Sequence, residues 1–327
     1  MMTKWSHVVL MMLLVVLSLS HLLWGEVQID LWAIGSNEGG LDAVAQTILF
    51  DIRLPRVIMA IAAGSGLGVA GLLLQTWFHN PLAGPSVLGI SAGAGMGVAI
   101  MVLAGLGTGW VANTLGATVG SWSVLLMVLF MASRFRGLAS LLIFGLMLNY
   151  VLGALITILQ SEAPKDALQQ FVFWGMGTFG QTTVAVGVFI LGLVIVSLIF
   201  ASMFHQDLDA WTLGSVTARS MGVSENRLKW MIIGTTGLVA GAITAACGPI
   251  AFLGLATPHL VKLSSSARNH STLIWRTAMA GAIIALIADW GAKGIFQTGQ
   301  GWPLNAVLSM LGGPLVVWVL ISKSKMS

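Results

Sequence analysis

Apolar residues in this chain come in runs of about 20, separated by short stretches that carry Gly, Pro or charge. About 20 residues is what an α-helix needs to cross a hydrocarbon core roughly 30 Å thick. In hydrocarbon every backbone polar group must be paired within the protein, so spans are helices or a closed barrel. Barrel strands would be about half as long and would alternate apolar with polar residues. No such alternation is present, so the pattern predicts an all-α, polytopic transmembrane helical bundle. Spans fall near 7–25, 55–76, 87–106, 110–132, 138–160, 184–204, 225–246, 249–264, 271–293 and 303–322, about ten within one transmembrane domain, 1–327. The third and eighth are short and follow turns holding Pro81 and Pro85, or Gly248 and Pro249. The first apolar run, 8–24, is long for a signal core and no A-x-A site follows, so it is expected to stay as a span.

Composition agrees. Hydrophobic residues make up 57% of the 327 and charged residues 8%, with a mean hydropathy of +0.94. A soluble domain carries about a quarter charged residues, so this chain lacks the charge to cover a water-facing surface. The basic residues set the direction of the helices. With the N-terminus in the cytoplasm, eleven fall inside: Lys4, Arg134, Arg136, Arg219, Arg227, Lys229, Lys262, Arg268, Arg276, Lys323 and Lys325. Four fall outside: Arg53, Arg56, Lys165 and Lys293. The positive-inside rule therefore predicts both termini in the cytoplasm. The acids Glu26, Asp30, Glu38, Asp42, Asp51, Glu162 and Asp166 fall outside.

Many of the 40 glycines sit inside spans at small-xxx-small spacing, as in Gly64–Gly68, Gly93–Gly97 and Gly237–Gly241. Such spacing predicts close helix crossings. Two stretches look like weak copies. Arg53, a Gly-rich span, Asn80-Pro81-Leu82-Ala83-Gly84-Pro85 and Leu88-Gly89 form one; Arg227, a Gly-rich span, Gly248-Pro249-Ile250 and Leu253-Gly254 form the other. Their opposite directions predict an inverted repeat of the kind found in transporters.

Candidate chemistry is sparse. The sequence holds no G-x-x-x-x-G-K-[ST] phosphate loop and no H-E-x-x-H, so neither a catalytic nor a metal site is expected. The single cysteine, Cys247, lies in an apolar stretch and reads as a packing residue. Asp289, near the end of the ninth span, has Lys293 four residues on, and the two can meet as an interfacial ion pair. Proton-coupled carriers place ionisable groups inside spans; their scarcity here argues for energy supplied by another subunit. The segment 207–224 reads as a helix with Leu208, Trp211, Ser215 and Ala218 on one face. Gly222 would end it in the left-handed conformation and Ser224 would cap the seventh span. Such a helix at the cytoplasmic mouth is a natural docking surface.

Five markers in order carry a resemblance: Arg53-Leu54-Pro55-Arg56; Gln75 with Asn80-Pro81-Leu82-Ala83 and Leu88-Gly89-Ile90-Ser91-Ala92-Gly93; Ala218-Arg219-Ser220-Met221-Gly222-Val223; Gly248-Pro249-Ile250-Ala251-Phe252-Leu253-Gly254-Leu255 with Pro258-His259-Leu260; and Gly313-Pro314 with Trp318. From about residue 50 to the C-terminus the chain resembles the permease subunits of binding-protein-dependent ABC importers for iron-siderophores, haem and vitamin B12, the FecCD family.

The resemblance implies a type II ABC importer permease in a bacterial inner membrane, with an iron-siderophore as the first expected substrate and haem or cobalamin next. It implies a second permease subunit, the same or related, two cytoplasmic ATPases that bind ATP and Mg, and a periplasmic substrate-binding protein. No nucleic acid is implied, and no cofactor in this chain. Arg53 and Arg56, with Lys293 in place of a family arginine, would dock the binding protein. Lysine there loses the bidentate fork. The coupling segment, with Asp209, Leu213, Ala218, Arg219, Gly222 and Val223, would seat in the ATPase. Asn80, Pro81, Gly89, Gly248, Pro249, Gly254, Pro258 and His259 are motif positions, and His259 reads as structural rather than as a haem ligand. Departures are Thr257 before Pro258, Gly301-Trp302-Pro303, Gly84, and Asn305 where glycine is common. The competing readings are an ion-gradient-driven secondary transporter with inverted repeats and a non-transporting membrane scaffold.

Overall fold

The computed structural model describes residues 2–25, 43–135, 138–264, 269–293 and 301–324. Arg136, Arg268 and Lys325 of the expected inner charges, and Glu26, Asp30, Glu38 and Asp42 of the outer acids, lie outside the described residues. The described chain is helical, with no strand among these residues. The helices are α1 Met2–Leu23, α2 Leu54–Trp77, α3 Ile90–Leu103, α4 Gly109–Arg134, α5 Leu138–Glu162, α6 Lys165–Gly175, α7 Val184–Met203, α8 His205–Trp211, α9 Ser215–Ser220, α10 Glu225–Cys247, α11 Leu253–Ser264, α12 His270–Ala292 and α13 Leu304–Ser324. A helical lead-in, Ala43–Thr47 and the π-helical Ile48–Arg53, runs directly into α2. Among the described residues six helices are long and apolar enough to cross a membrane.

The apolar runs do not share one environment. In the run ending with α2, 89% of the most apolar window is buried; in α5 the figure is 11%. α2 is therefore the spine, with α7, α10, α11 and α12 packed around it, while α3 packs on α4 and α5. Small residues make this possible. A Cβ at Gly64 would overlap the Gly281 carbonyl, and one at Gly71 the Gly254 carbonyl. Gly93 and Gly97 of α3 meet Gly120 and Gly116 of α4 backbone to backbone, as the spacing predicts. α5 buries little within the chain and leaves Ile143, Met147, Tyr150 and Ile158 exposed, a face for lipid or another subunit.

Two expected spans are broken. The α3 helix has 14 residues and α11 has 12, about 21 Å and 18 Å at 1.5 Å per residue, too short to cross alone. Non-helical backbone precedes each: the turn through Asn80 and the 3-10 turn Pro85–Leu88 before α3, and residues 248–252 before α11. Each helix opens beside a left-handed residue, Gly89 (φ 82°) or Phe252 (φ 65°). Irregular backbone is tolerated at such places where protein buries it, and Ala83, Pro85 and Leu88 are buried. The two breaks occupy corresponding places in the two weak copies read from the sequence.

Candidate functional sites at the two ends of the bundle

At the end expected to face outward, Arg53 closes the π-helical turn and is only 6% exposed. Its Nη1 donates to the Leu22 and Leu23 carbonyls at 2.8 and 3.1 Å. Those are last-turn carbonyls of α1, which lack helical partners and carry partial negative charge. Arg53 thus bolts α1 to the start of α2 and leaves little of itself exposed in the single chain. Arg56, one turn on, directs Nε at both Asp289 oxygens, 3.0 and 2.9 Å away. Lys293 Nζ lies 3.7 Å and His21 Nε2 3.4 Å from Asp289 Oδ2. The expected Asp289–Lys293 pair forms, but not as an interfacial pair: Asp289 is 1% exposed. It is the shared acceptor that ties α1, α2 and α12 together, leaving Arg56 and Lys293 half-buried at the rim.

At the opposite end the segment after α7 folds as two short helices instead of one. Gly214 (φ 104°) breaks it, and Leu208, Trp211 and Ala218 turn inward from both pieces. Trp211 stacks on Trp77 with ring centroids 4.5 Å apart and donates its Nε1–H to the Trp77 carbonyl at 3.1 Å. His79, left-handed at φ 48°, donates Nε2–H to the Trp211 carbonyl at 2.9 Å. Asp209 accepts from the backbone N–H of His270 (2.8 Å) and from its Nδ1 (2.6 Å), while Thr76 donates to His270 Nε2 (2.9 Å). Asp209 is therefore the cap of α12, supplied from a different helix, a role invisible in the sequence because the two residues lie 61 positions apart.

Gly222 ends α9 as expected, at φ 89°. Its N–H bonds the Arg219 carbonyl and the Val223 N–H bonds the Ala218 carbonyl, both at 3.0 Å, a Schellman motif. Ser224 stands at the cap position of α10, but its side chain makes no capping bond. Arg219 pairs with Glu225 at 2.6 Å. The segment exposes three large apolar side chains, Leu213, Met221 and Val216, the last 79% exposed, beside exposed Thr212, Thr217, Arg219 and Ser220.

The motif positions join across the chain. The Asn80 side chain accepts from the Leu82 N–H at 2.9 Å, fixing the turn, and the Pro81 carbonyl accepts from His259 Nε2 at 2.8 Å. The Asn-Pro and Pro-His markers are thus one contact, and the His259 ring is engaged structurally, beside Pro258 inside α11. Gly254 sits against the Leu67 carbonyl and Pro85, and a Cβ at Gly248 (φ 75°) would overlap the Trp174 carbonyl. The Pro249 carbonyl accepts from Asn305 Nδ2 at 2.7 Å. Asn305 also donates to the Gly175 carbonyl and accepts from the Ala251 N–H, stapling the end of α6 and the 248–252 loop to the start of α13 where the resemblance has glycine. The amphipathic α6 was not foreseen. Pro164 before it and Asp166 in its first turn are the start signals that could have marked it.

A spine helix wrapped by apolar partners, two interrupted helices, and polar clusters confined to the ends define a polytopic membrane permease. The chain belongs to the FecCD transport family, whose model matches residues 10–322. It is 30% identical over 321 residues to the hemin transport system permease protein HmuU of Yersinia pestis, covering 95% of this chain and 94% of that protein. It is 32% identical over 287 residues to the vitamin B12 import system permease protein BtuC of Salmonella paratyphi A, covering 87% of each. Its fold is similar to a metal-chelate type ABC transporter solved in an inward-facing conformation, with a TM-score of 0.85 at 24% identity over 98% of this chain and 99% of that one.

Proposed function

We propose that the chain is one of two permease subunits, identical or related, that together form the translocation path of an ATP-driven importer in a bacterial inner membrane, with both termini cytoplasmic. The substrate is a chelated metal, a ferric siderophore first and haem or cobalamin next, delivered by a periplasmic binding protein. Two cytoplasmic ATPases bind ATP and Mg and drive the cycle. The observation that carries this reading is the family match across nearly the whole chain. The exposed apolar side chains at and beside α9, Leu213, Val216 and Met221, support it, because Trp211, His79 and Asp209 fasten that segment to α2 and α12. A push on the segment therefore reaches the spine helix.

Arg56 and Lys293 are the outward docking pair; Arg53 is left out because its guanidinium is buried. Charges at such a rim steer encounter and set register, and salt weakens them. Proteoliposomes holding the chain with its ATPase should accumulate chelate only with ATP, and uptake by the chain alone would sink the proposal. In the same vesicles Arg56→Glu with Lys293→Glu should weaken binding-protein docking at least tenfold, roughly 1.4 kcal/mol, and unchanged docking would remove these residues from the role.

A further inference from the structure

A cavity of about 660 Å³ opens at the outer end between the start of α4 and the face of α6. That lies within the range of roughly 300–1,000 Å³ typical of small-molecule sites. Trp110 and Asn113 of α4, Asp166, Gln170 and Trp174 of α6, and Gln181 beyond it form the lining that matters. Primary amides offer both donors and acceptors, and the indole faces offer flat apolar area. Asn113 buries its Oδ1 with no hydrogen-bond partner among the described residues. A buried acceptor left unpaired costs about 1–3 kcal/mol, and because this one has almost no accessible surface a ligand would reach it only after the side chain turns toward the cavity.

The site is built rather than loose. Asn305 holds the end of α6 through the Gly175 and Met176 carbonyls, and the Trp174 carbonyl lies against Gly248. The lining holds one charge, Asp166, and no cation among the described residues. Arg56 approaches from behind Gly180, but its guanidinium is bound to Asp289. In the lining itself a highly anionic ligand would meet the Asp166 carboxylate and no cation, with Lys165 next to it in sequence but outside the lining. Like charge disfavours such a ligand.

From this we infer that the cavity is a contact site for the transported chelate and that it selects an electrically neutral complex rich in amide or hydroxamate groups over a polyanionic one. The inference rests on the permease reading and narrows its substrate. The chain has one cysteine, Cys247, and it is buried. A thiol placed by Gln170→Cys is thus the accessible one, and its reaction with a polar maleimide reports occupancy of the cavity. In proteoliposomes holding the complete importer, a neutral ferric tris-hydroxamate or cyanocobalamin at twice its Kd should slow that reaction about threefold. Whichever of the two protects identifies the substrate type. A trianionic ferric tris-catecholate should leave the rate unchanged, as should either probe for Ser220→Cys at the inner end.

Three results would overturn the inference: no protection by either neutral probe, equal protection by the tris-catecholate, or a Gln170→Cys thiol blocked without any probe, which means that a partner subunit fills the cavity. ATP-driven uptake measured in the same vesicles keeps the permease reading separate. Uptake without protection removes the site and leaves the importer standing.

Discussion

A carboxylate with 1% exposure holds Arg56, Lys293 and the His21 ring around it at the outer end. Removing one member of a buried pair strands the others, typically at about 3–5 kcal/mol. Asp289→Ala should therefore lower the unfolding temperature of the detergent-solubilised protein clearly, and Asp289→Asn, which keeps an acceptor, should lower it less. Equal unfolding temperatures for the wild type and Asp289→Ala would show that the cluster adds nothing. Glycines divide in the same way. Gly71 faces the Gly254 carbonyl, so Gly71→Ala forces two backbones apart, an overpacking cost of about 1–3 kcal/mol or more. Gly192 has nothing within 4 Å, and Gly192→Ala should be neutral or slightly stabilising by the same melt. Both lie in apolar runs, and only the crossing partner distinguishes them. That is why glycine density was legible in the sequence while the indispensable positions were not.

At the scale of elements, apolar length located most helices to within a few residues, because a membrane span leaves a long compositional mark. The short pieces were harder. The break at Gly214 divides what reads as one amphipathic helix, since Leu208, Trp211 and Ala218 keep facing inward across it. The Gly222 stop was legible because a Schellman end needs a left-handed residue and glycine supplies it cheaply. The Ser224 cap was not realised, because position alone does not aim a hydroxyl at an N–H. The true cap of α12 comes from Asp209, far away in sequence. Asp209→Ala should cost about 1 kcal/mol at that helix end, roughly a fivefold faster hydrogen exchange for the amides of His270 and its neighbours. Unchanged exchange would mean that solvent caps the helix equally well.

At the scale of the whole molecule, the charge count predicted which end faces which compartment, and the resemblance assigned partners to each end. The geometry then redistributed the residues: Arg53 to internal bracing, Asp209 to bracing the inner segment, and Leu213, Val216 and Met221 to the surface. Leu213 was already expected in the coupling segment; Val216 and Met221 were not singled out for it, because exposed apolar side chains look like any others until the fold shows nothing packed on them. Val216→Asp should abolish copurification of the ATPase while the melting temperature stays within about 1 °C, because a surface substitution touching no packed feature moves stability little. Retained copurification would move the docking surface elsewhere.

The burial of α2 has a further consequence. Its walls are other helices rather than acyl chains, so changes in bilayer thickness act first on peripheral elements such as α5, by tilt or local thinning. The central helix is shielded from the lipid. Growth temperature and fatty-acid content should therefore alter how the peripheral helices sit in the membrane while the spine keeps its register.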